Sequence, residues 1–289
     1  MSRLGVFFSK AICLFLVFCL SLPGAAFAQQ APLILGIHPF LSSTELYKRF
    51  SPLVEYLGKQ MNVPVTLKIA SSYDAHLEAI GKQEVDIAFL GPAPYVKLTE
   101  RFGKVPLLAA YETNGSRTFR GVIVVSRESQ FTAIPQLQGK RFAFGDPNST
   151  MSHLVPRAML LEKGVDVKQL AKYEFLTNHE NIALGVLAGN FEAGAMKDDI
   201  FKQYEPQGLR ALAISGSYPD HLFVARLGLP AATVHGLQKA LLALKDSDEG
   251  RRLLTGLQKS LTALVLPRDA DYDNLRSTMA ALAKAGIAQ

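Results

Sequence analysis

Three short apolar runs decide the fold: Leu33-Ile34-Leu35-Gly36-Ile37, Pro64-Val65-Thr66-Leu67-Lys68-Ile69-Ala70 and Val85-Asp86-Ile87-Ala88-Phe89-Leu90. Each has the length and the branched or aromatic content of a strand. Between the first two, Tyr47, Phe50, Leu53, Val54 and Leu57 recur at three- and four-residue steps, which predicts an amphipathic helix. Ser51-Pro52 reads as a cap followed by a first-turn proline, so that helix is expected to break or restart there. Strand, helix and strand in alternation predict an α/β chain with a mainly parallel sheet and helices on its faces.

The pattern resumes downstream. Strands are predicted over 122–125, Arg141–Phe144, 191–195 and Leu209–Ile214, with helices over 153–162 and 181–188. The remainder reads as mostly helical, with one stripe through Val234, Leu237, Leu241 and Leu244 and another through Leu275, Met279 and Leu282. The chain has 289 residues, enough for two domains with buried cores. Two turn-rich links, 112–118 and 215–220, mark crossings between them. The expected organisation is one lobe of 29–115 and 218–289 and a second of 116–217. Two α/β lobes on two hinge crossings leave a cleft that closes on a ligand.

Residues 1–28 are set apart. Arg3 and Lys10 precede an apolar run of 11–20, and Ala26-Phe27-Ala28 is a small-x-small cleavage site. This is the pattern of a secretory signal peptide, too short to span a bilayer in the ordinary way, so the mature protein is expected in the periplasm. Both cysteines, Cys13 and Cys19, fall inside the leader, which excludes a disulfide or thiolate metal site from the mature chain. Of 31 basic and 25 acidic residues the leader takes two basic ones, leaving a net charge of +4. That mild excess suits an anionic ligand. The basic residues are scattered without interleaved aromatics, which argues against nucleic-acid binding.

The chemistry concentrates in Gly145-Asp146-Pro147-Asn148-Ser149-Thr150-Met151-Ser152-His153, where a strand gives way to a helix. Unpaired N–H groups at the helix start, with the hydroxyls of Ser149, Thr150 and Ser152, form a phosphate-type anion site without Arg or Lys. A capped helix with no ligand would use the same residues. His179 opens the next helix and can donate to an oxyanion. Tyr73 follows a strand, at the end of the sheet where α/β folds place ligands. No Gly-x-Ser-x-Gly elbow and no Walker phosphate loop is present, and the six histidines show no close metal-ligand pair. No enzymatic activity, cofactor or metal is expected. Ser149 with His153, or His179 as a base, would be the starting points for a hydrolase.

The segment Val85-Asp86-Ile87-Ala88-Phe89-Leu90-Gly91-Pro92-Ala93-Pro94-Tyr95 resembles the VDIAFLGP stretch of periplasmic phosphate-, phosphite- and phosphonate-binding proteins of ABC transporters. The run from Asp146 to Pro156 is similar to that family's DPNSTSGxLVP. The segments starting at His179 and Phe191 are similar to its HExNALAV and VDAGA. The resemblance implies a type II periplasmic-binding-protein fold and delivery of solute to an ABC permease by a monomer. Carried over residue by residue, it implies ligand contacts at Tyr73, Ser149, Thr150, His179 and Asp199; Tyr95, from the first matching segment, and Ser152, from the helix start, join them as candidate contacts.

Three departures bear on the ligand. Met151-Ser152 replaces the family's Ser-Gly, Phe119 stands for a site tyrosine, and His221 stands for a second acid. With one acid in place of two, phosphite, phosphate or a small alkylphosphonate is expected over an aminoalkyl ligand. Asp199 is expected to accept the proton of a monoprotonated oxyanion. The alternative is a periplasmic sensor reporting an oxyanion to a membrane signalling partner.

Overall fold

The computed structural model describes residues 31–286; the leader reading lies outside them. From the N-terminus, β1 (Leu33–Ile37), α1 (Ser43–Met61), β2 (Val65–Ile69), α2 (Tyr73–Gly81), β3 (Ile87–Leu90), α3 (Pro92–Phe102) and β4 (Leu107–Glu112) build most of one lobe. The chain then crosses through β5 (Thr118–Phe119). The other lobe contains β6 (Gly121–Ser126), β7 (Arg141–Phe144), α4 (Val155–Glu162), β8 (Lys172–Phe175), α5 (His179–Leu187), β9 (Ala193–Lys197), α6 (Asp198–Tyr204) and β10 (Leu209–Ile214). It returns through β11 (Tyr218–Pro219). The first lobe is completed by β12 (Leu222–Ala225), α7 (Ala231–Leu242), α8 (Asp248–Leu257), β13 (Ala263–Val265) and α9 (Asp273–Lys284).

The six-stranded sheet runs β13-β4-β12-β3-β1-β2 and the five-stranded sheet β10-β6-β9-β7-β8. Both are mixed, not mainly parallel. The βαβ units give parallel pairs, as β1 with β2 and β3, and β7 with β8 and β9. Strand β12 arrives from the other lobe and inserts antiparallel between β3 and β4. Local alternation specifies only the βαβ pairs, so a strand delivered by a long crossing is free to run the other way. The two crossings are themselves hydrogen-bonded, Tyr218 opposite Phe119 and Pro219 opposite Thr118.

Helix α1 runs through Pro52 without restarting. A mid-helix proline removes one hydrogen bond and costs about 3 kcal/mol. The buried stripe of Leu46, Phe50, Leu53, Val54 and Leu57 spans that position on both sides. Each such side chain contributes roughly 1.5–3 kcal/mol on burial, which outweighs the defect. The C-terminal part also differs from its helical reading: β12 and β13 are strands, contributed by short runs buried in the sheet. Among the described residues no helix is long and apolar enough to cross a membrane.

Candidate functional site

The entry to α4 is built by a proline acting four residues ahead of itself. Pro156 has no N–H to give the carbonyl of Ser152, and its ring crowds that carbonyl. The turn over Thr150–Leu154 widens to π-helical geometry instead. The freed Ser152 carbonyl accepts from the N–H of Gly145 over 3.0 Å. Ser152 Oγ–H then donates to Ser149 Oγ over 2.6 Å, and Ser152 N–H approaches the same oxygen at 3.3 Å. With its oxygen supplied from behind, Ser149 keeps its own hydroxyl proton to donate. A Cβ on Gly145 would lie 2.0 Å from Ser152 Oγ, so this packing requires glycine.

The two lobes meet at this turn. Ala93 N–H, near the start of α3, donates to Thr150 Oγ1 over 2.9 Å. That leaves the Thr150 hydroxyl proton free as well. Lys97 Nζ donates to Asn148 Oδ1 over 2.5 Å, and burial lowers the Lys97 pKa, against the carboxylates of Asp74 and Asp146. Burial raises the Asp146 carboxyl, and its Oδ1 accepts from Asn148 N–H over 2.7 Å. The phenol of Tyr73, at the start of α2, interacts with Ser149 across the cleft. Burial, and then Asp146, push its pKa up, so it remains a donor.

These contacts border a small cavity of about 10 Å³ lined by Tyr73, Phe119, Ser149, Thr150, His179 and His221, together with His38, Gly91 and Met151. It is smaller than the roughly 300–1,000 Å³ of sites that hold drug-sized ligands. Six of the nine sequence candidates therefore share one wall. Three do not. Tyr95 is a buried residue of α3, its hydroxyl donating to Asp269 over 2.7 Å and its ring against Tyr272. Ser152 stands behind Ser149. Asp199, its carboxylate oxygens buried and 3.0 Å from the buried ammonium of Lys197, belongs to the lining of a separate groove beside α1 and α8.

His38 escaped the sequence reading. It follows β1, and Gly91 follows β3, so the strand-end position that singled out Tyr73 could have found both.

The histidines have fixed tautomers. Lys197 N–H donates to His179 Nδ1 over 3.4 Å, so His179 carries its proton on Nε2 and can donate it. His221 Nδ1–H donates to the Asp220 carboxylate over 2.9 Å. Burial pulls the pKa of His179 well below its ordinary value, with Lys197 and His221 adding to the effect. Burial also lowers that of His221, against its hydrogen bond to Asp220. The imidazoles of His179 and His221 are thus neutral, and hydrogen bonds that the wall donates to an anion are strengthened in a low-dielectric setting.

Residues 35–272 match the family described as "ABC transporter, phosphonate, periplasmic substrate-binding protein". The "Phosphate-import protein PhnD" of Mycolicibacterium smegmatis is 30% identical over 262 residues, covering 82% of each chain. The "Probable ABC transporter phosphite binding protein PhnD1" of Prochlorococcus marinus is 26% identical, covering 83% of this chain and 84% of its own. A crystal structure of PhnD1 from Prochlorococcus marinus, in complex with methylphosphonate, superposes with a TM-score of 0.80 at 22% identity, covering 89% of this chain and 99% of that one. The two-lobed fold is that of the periplasmic binding proteins, whose role is to bind solute, not to turn it over. The chain belongs to the periplasmic phosphonate substrate-binding family of ABC transporters.

Proposed function

We propose that this protein captures phosphite, phosphate or a small alkylphosphonate between its lobes and hands it to an ABC permease. One observation carries the reading: Ser149, Thr150, Tyr73 and His179, four side chains with a proton to donate, line one cavity that has no Arg or Lys among its lining residues. Donors from both lobes on one oxyanion would hold the cleft shut, which couples binding to closure. The named relatives, a phosphate-import protein and a phosphite-binding protein, point to the same ligand class. Phe119 and His221 close the far wall with an apolar ring and an imidazole. That wall has no carboxylate for a ligand amine, so the small, uncharged-tail ligands are favoured. No observation favours the sensing alternative.

A thermal-shift screen with phosphite, phosphate, methylphosphonate, 2-aminoethylphosphonate, sulfate and alkylsulfonates tests the ligand class. Large shifts with the first three are expected; a shift with sulfonates alone would reject the reading. The double variant Ser149→Ala/Thr150→Ala should fold and bind at least about 100-fold more weakly, at about 1.5–3 kcal/mol per charge-assisted bond. Export is proposed to proceed through cleavage after Ala28, so the mature N-terminus should read from Gln29.

A further inference from the structure

His38 sits at the end of β1, buried at 1% exposure, with its ring edge-on to Tyr73 at 4.4 Å between centroids and stacked on His221 at 5.9 Å. Its Nδ1 lies 3.1 Å from the carbonyl oxygen of Phe89, and His76 Nε2 lies 3.1 Å from the same oxygen. A carbonyl has two lone pairs and no proton, so both ring nitrogens must be the donors. The proton of neutral His38 is therefore on Nδ1. Its Nε2 is a bare lone pair, buried and without a partner, on a side chain that lines the cavity. A buried acceptor left unsatisfied is costly unless something supplies a proton to it.

We propose that His38 reads the protonation state of the ligand, its Nε2 accepting the hydrogen bond that only a protonated phosphorus oxyanion can give. This rests on the ligand class proposed above and moves the acceptor role from Asp199, which faces Lys197, to a residue on the cavity wall.

The groups around His38 keep the lone pair free. Burial, His221, His76 and Lys197 all oppose a positive charge on its ring, and Tyr73 faces it as a neutral phenol. His221 differs in what backs it. A carboxylate behind Nδ1 favours an imidazolium, whereas the carbonyl behind His38 offers no net charge. If either imidazole gains a proton beside an anion, it is His221, and a charged His221 would hold His38 neutral. The wall then offers donors to the unprotonated oxygens and one acceptor to the P–OH.

Calorimetric titrations of phosphite, phosphate, methylphosphonate and sulfate between pH 6 and 8.5 test this, on wild type, His38→Phe and His38→Gln. Sulfate is tetrahedral and carries no proton in this range. The wild-type affinity for the phosphorus ligands should fall about tenfold per pH unit above the ligand's last ionisation. Sulfate should bind at least about 100-fold more weakly than phosphite at pH 6. In His38→Phe, which keeps a planar ring and leaves His76 on Phe89, the preference over sulfate should shrink at least about tenfold and the pH slope should flatten. His38→Gln can present either amide atom, so it should restore phosphite binding while leaving discrimination weak. It also serves if His38→Phe does not fold.

Affinity that stays level or rises as the ligand loses its proton would overturn the proposal. So would an undiminished preference over sulfate in a folded variant. Failure of wild type to bind any phosphorus oxyanion at any pH would instead remove the ligand class itself.

Discussion

The backbone N–H of Ala93 in one lobe donates to Thr150 Oγ1 in the other over 2.9 Å, so a single hydroxyl both fastens the closed cleft and keeps its proton for the cavity. Thr150→Val keeps the shape and removes both functions. The variant should bind phosphite about 10–150-fold more weakly, through the loss of one charge-assisted bond and one cross-cleft bond. Thr150→Ser should recover most of the affinity. Equal calorimetric affinities for wild type and Thr150→Val would show that this hydroxyl has neither role.

Asp199 should matter to stability more than to binding. Its carboxylate sits 3.0 Å from Lys197 Nζ, an ammonium only 4% exposed that also lies over the Phe40 ring at 5.2 Å. In Asp199→Asn the ammonium loses its counter-charge, which should cost about 1–3 kcal/mol. Denaturant unfolding of the unliganded protein would read that loss. Phosphite affinity should change less than in Thr150→Val. A stability equal to wild type with affinity collapsed would put Asp199 back among the ligand contacts.

Acid should destabilise the unliganded protein earlier than carboxylates alone would. Burial lowers His76 and His153 to about 4, lowers His38 and His179 well below their ordinary value, and lowers His221. In this window the unfolded chain takes up protons that the folded one refuses. Stability should therefore be fully present above about pH 6.5 and fall on acidification, by at most about 1.4 kcal/mol per pH unit for each histidine that stays neutral in the fold, down to about pH 4 for His76 and His153. Melting temperatures across pH 4–8 would show it, with a smaller drop when saturating oxyanion is present. A flat profile between pH 6.5 and 5 would contradict it.

The widened turn at Thr150–Leu154 depends on an absent methyl group. Gly145→Ala would set a Cβ 2.0 Å from Ser152 Oγ and 2.8 Å from Ser152 Cβ. It should cost about 1–3 kcal/mol of stability and loosen the Ser152–Ser149 hydrogen bond, weakening phosphite binding. Adding Ser152→Gly removes both clashing atoms and should return much of the stability without returning full affinity. If Gly145→Ala alone melts like wild type, the turn is less tightly built than its packing indicates.

Much of this was legible in the sequence. Strand β1 and the stripe of α1 were visible because their periodicity is local and their faces are buried along their whole length. Four residues of the cavity lining, Tyr73, Ser149, Thr150 and His179, could be named from strand ends and helix starts, where turn chemistry leaves a sequence trace, whereas Phe119 and His221 came only with the family resemblance. The rest depends on distance along the chain. β12 pairs with β3 from more than a hundred residues away, and nothing within Leu222–Ala225 reveals its direction. His38 left only its strand-end position as a signal, because its tautomer is fixed by a carbonyl 51 residues on. Asp199 is absent from this cavity lining because its carboxylate sits beside Lys197, two residues earlier, once α6 begins, a placement no local pattern shows.

The paired crossings limit how the cleft can move. Two independent tethers would let one lobe swivel as well as tilt. Here β5 and β11 are bonded to one another, and the Tyr218 hydroxyl is 3.1 Å from Thr278 Oγ1 on α9. The ribbon bends as a unit with one end moored, like the pin of a door. Closing is therefore expected to follow a single arc, which would bring the outer faces of the two lobes to one repeatable angle.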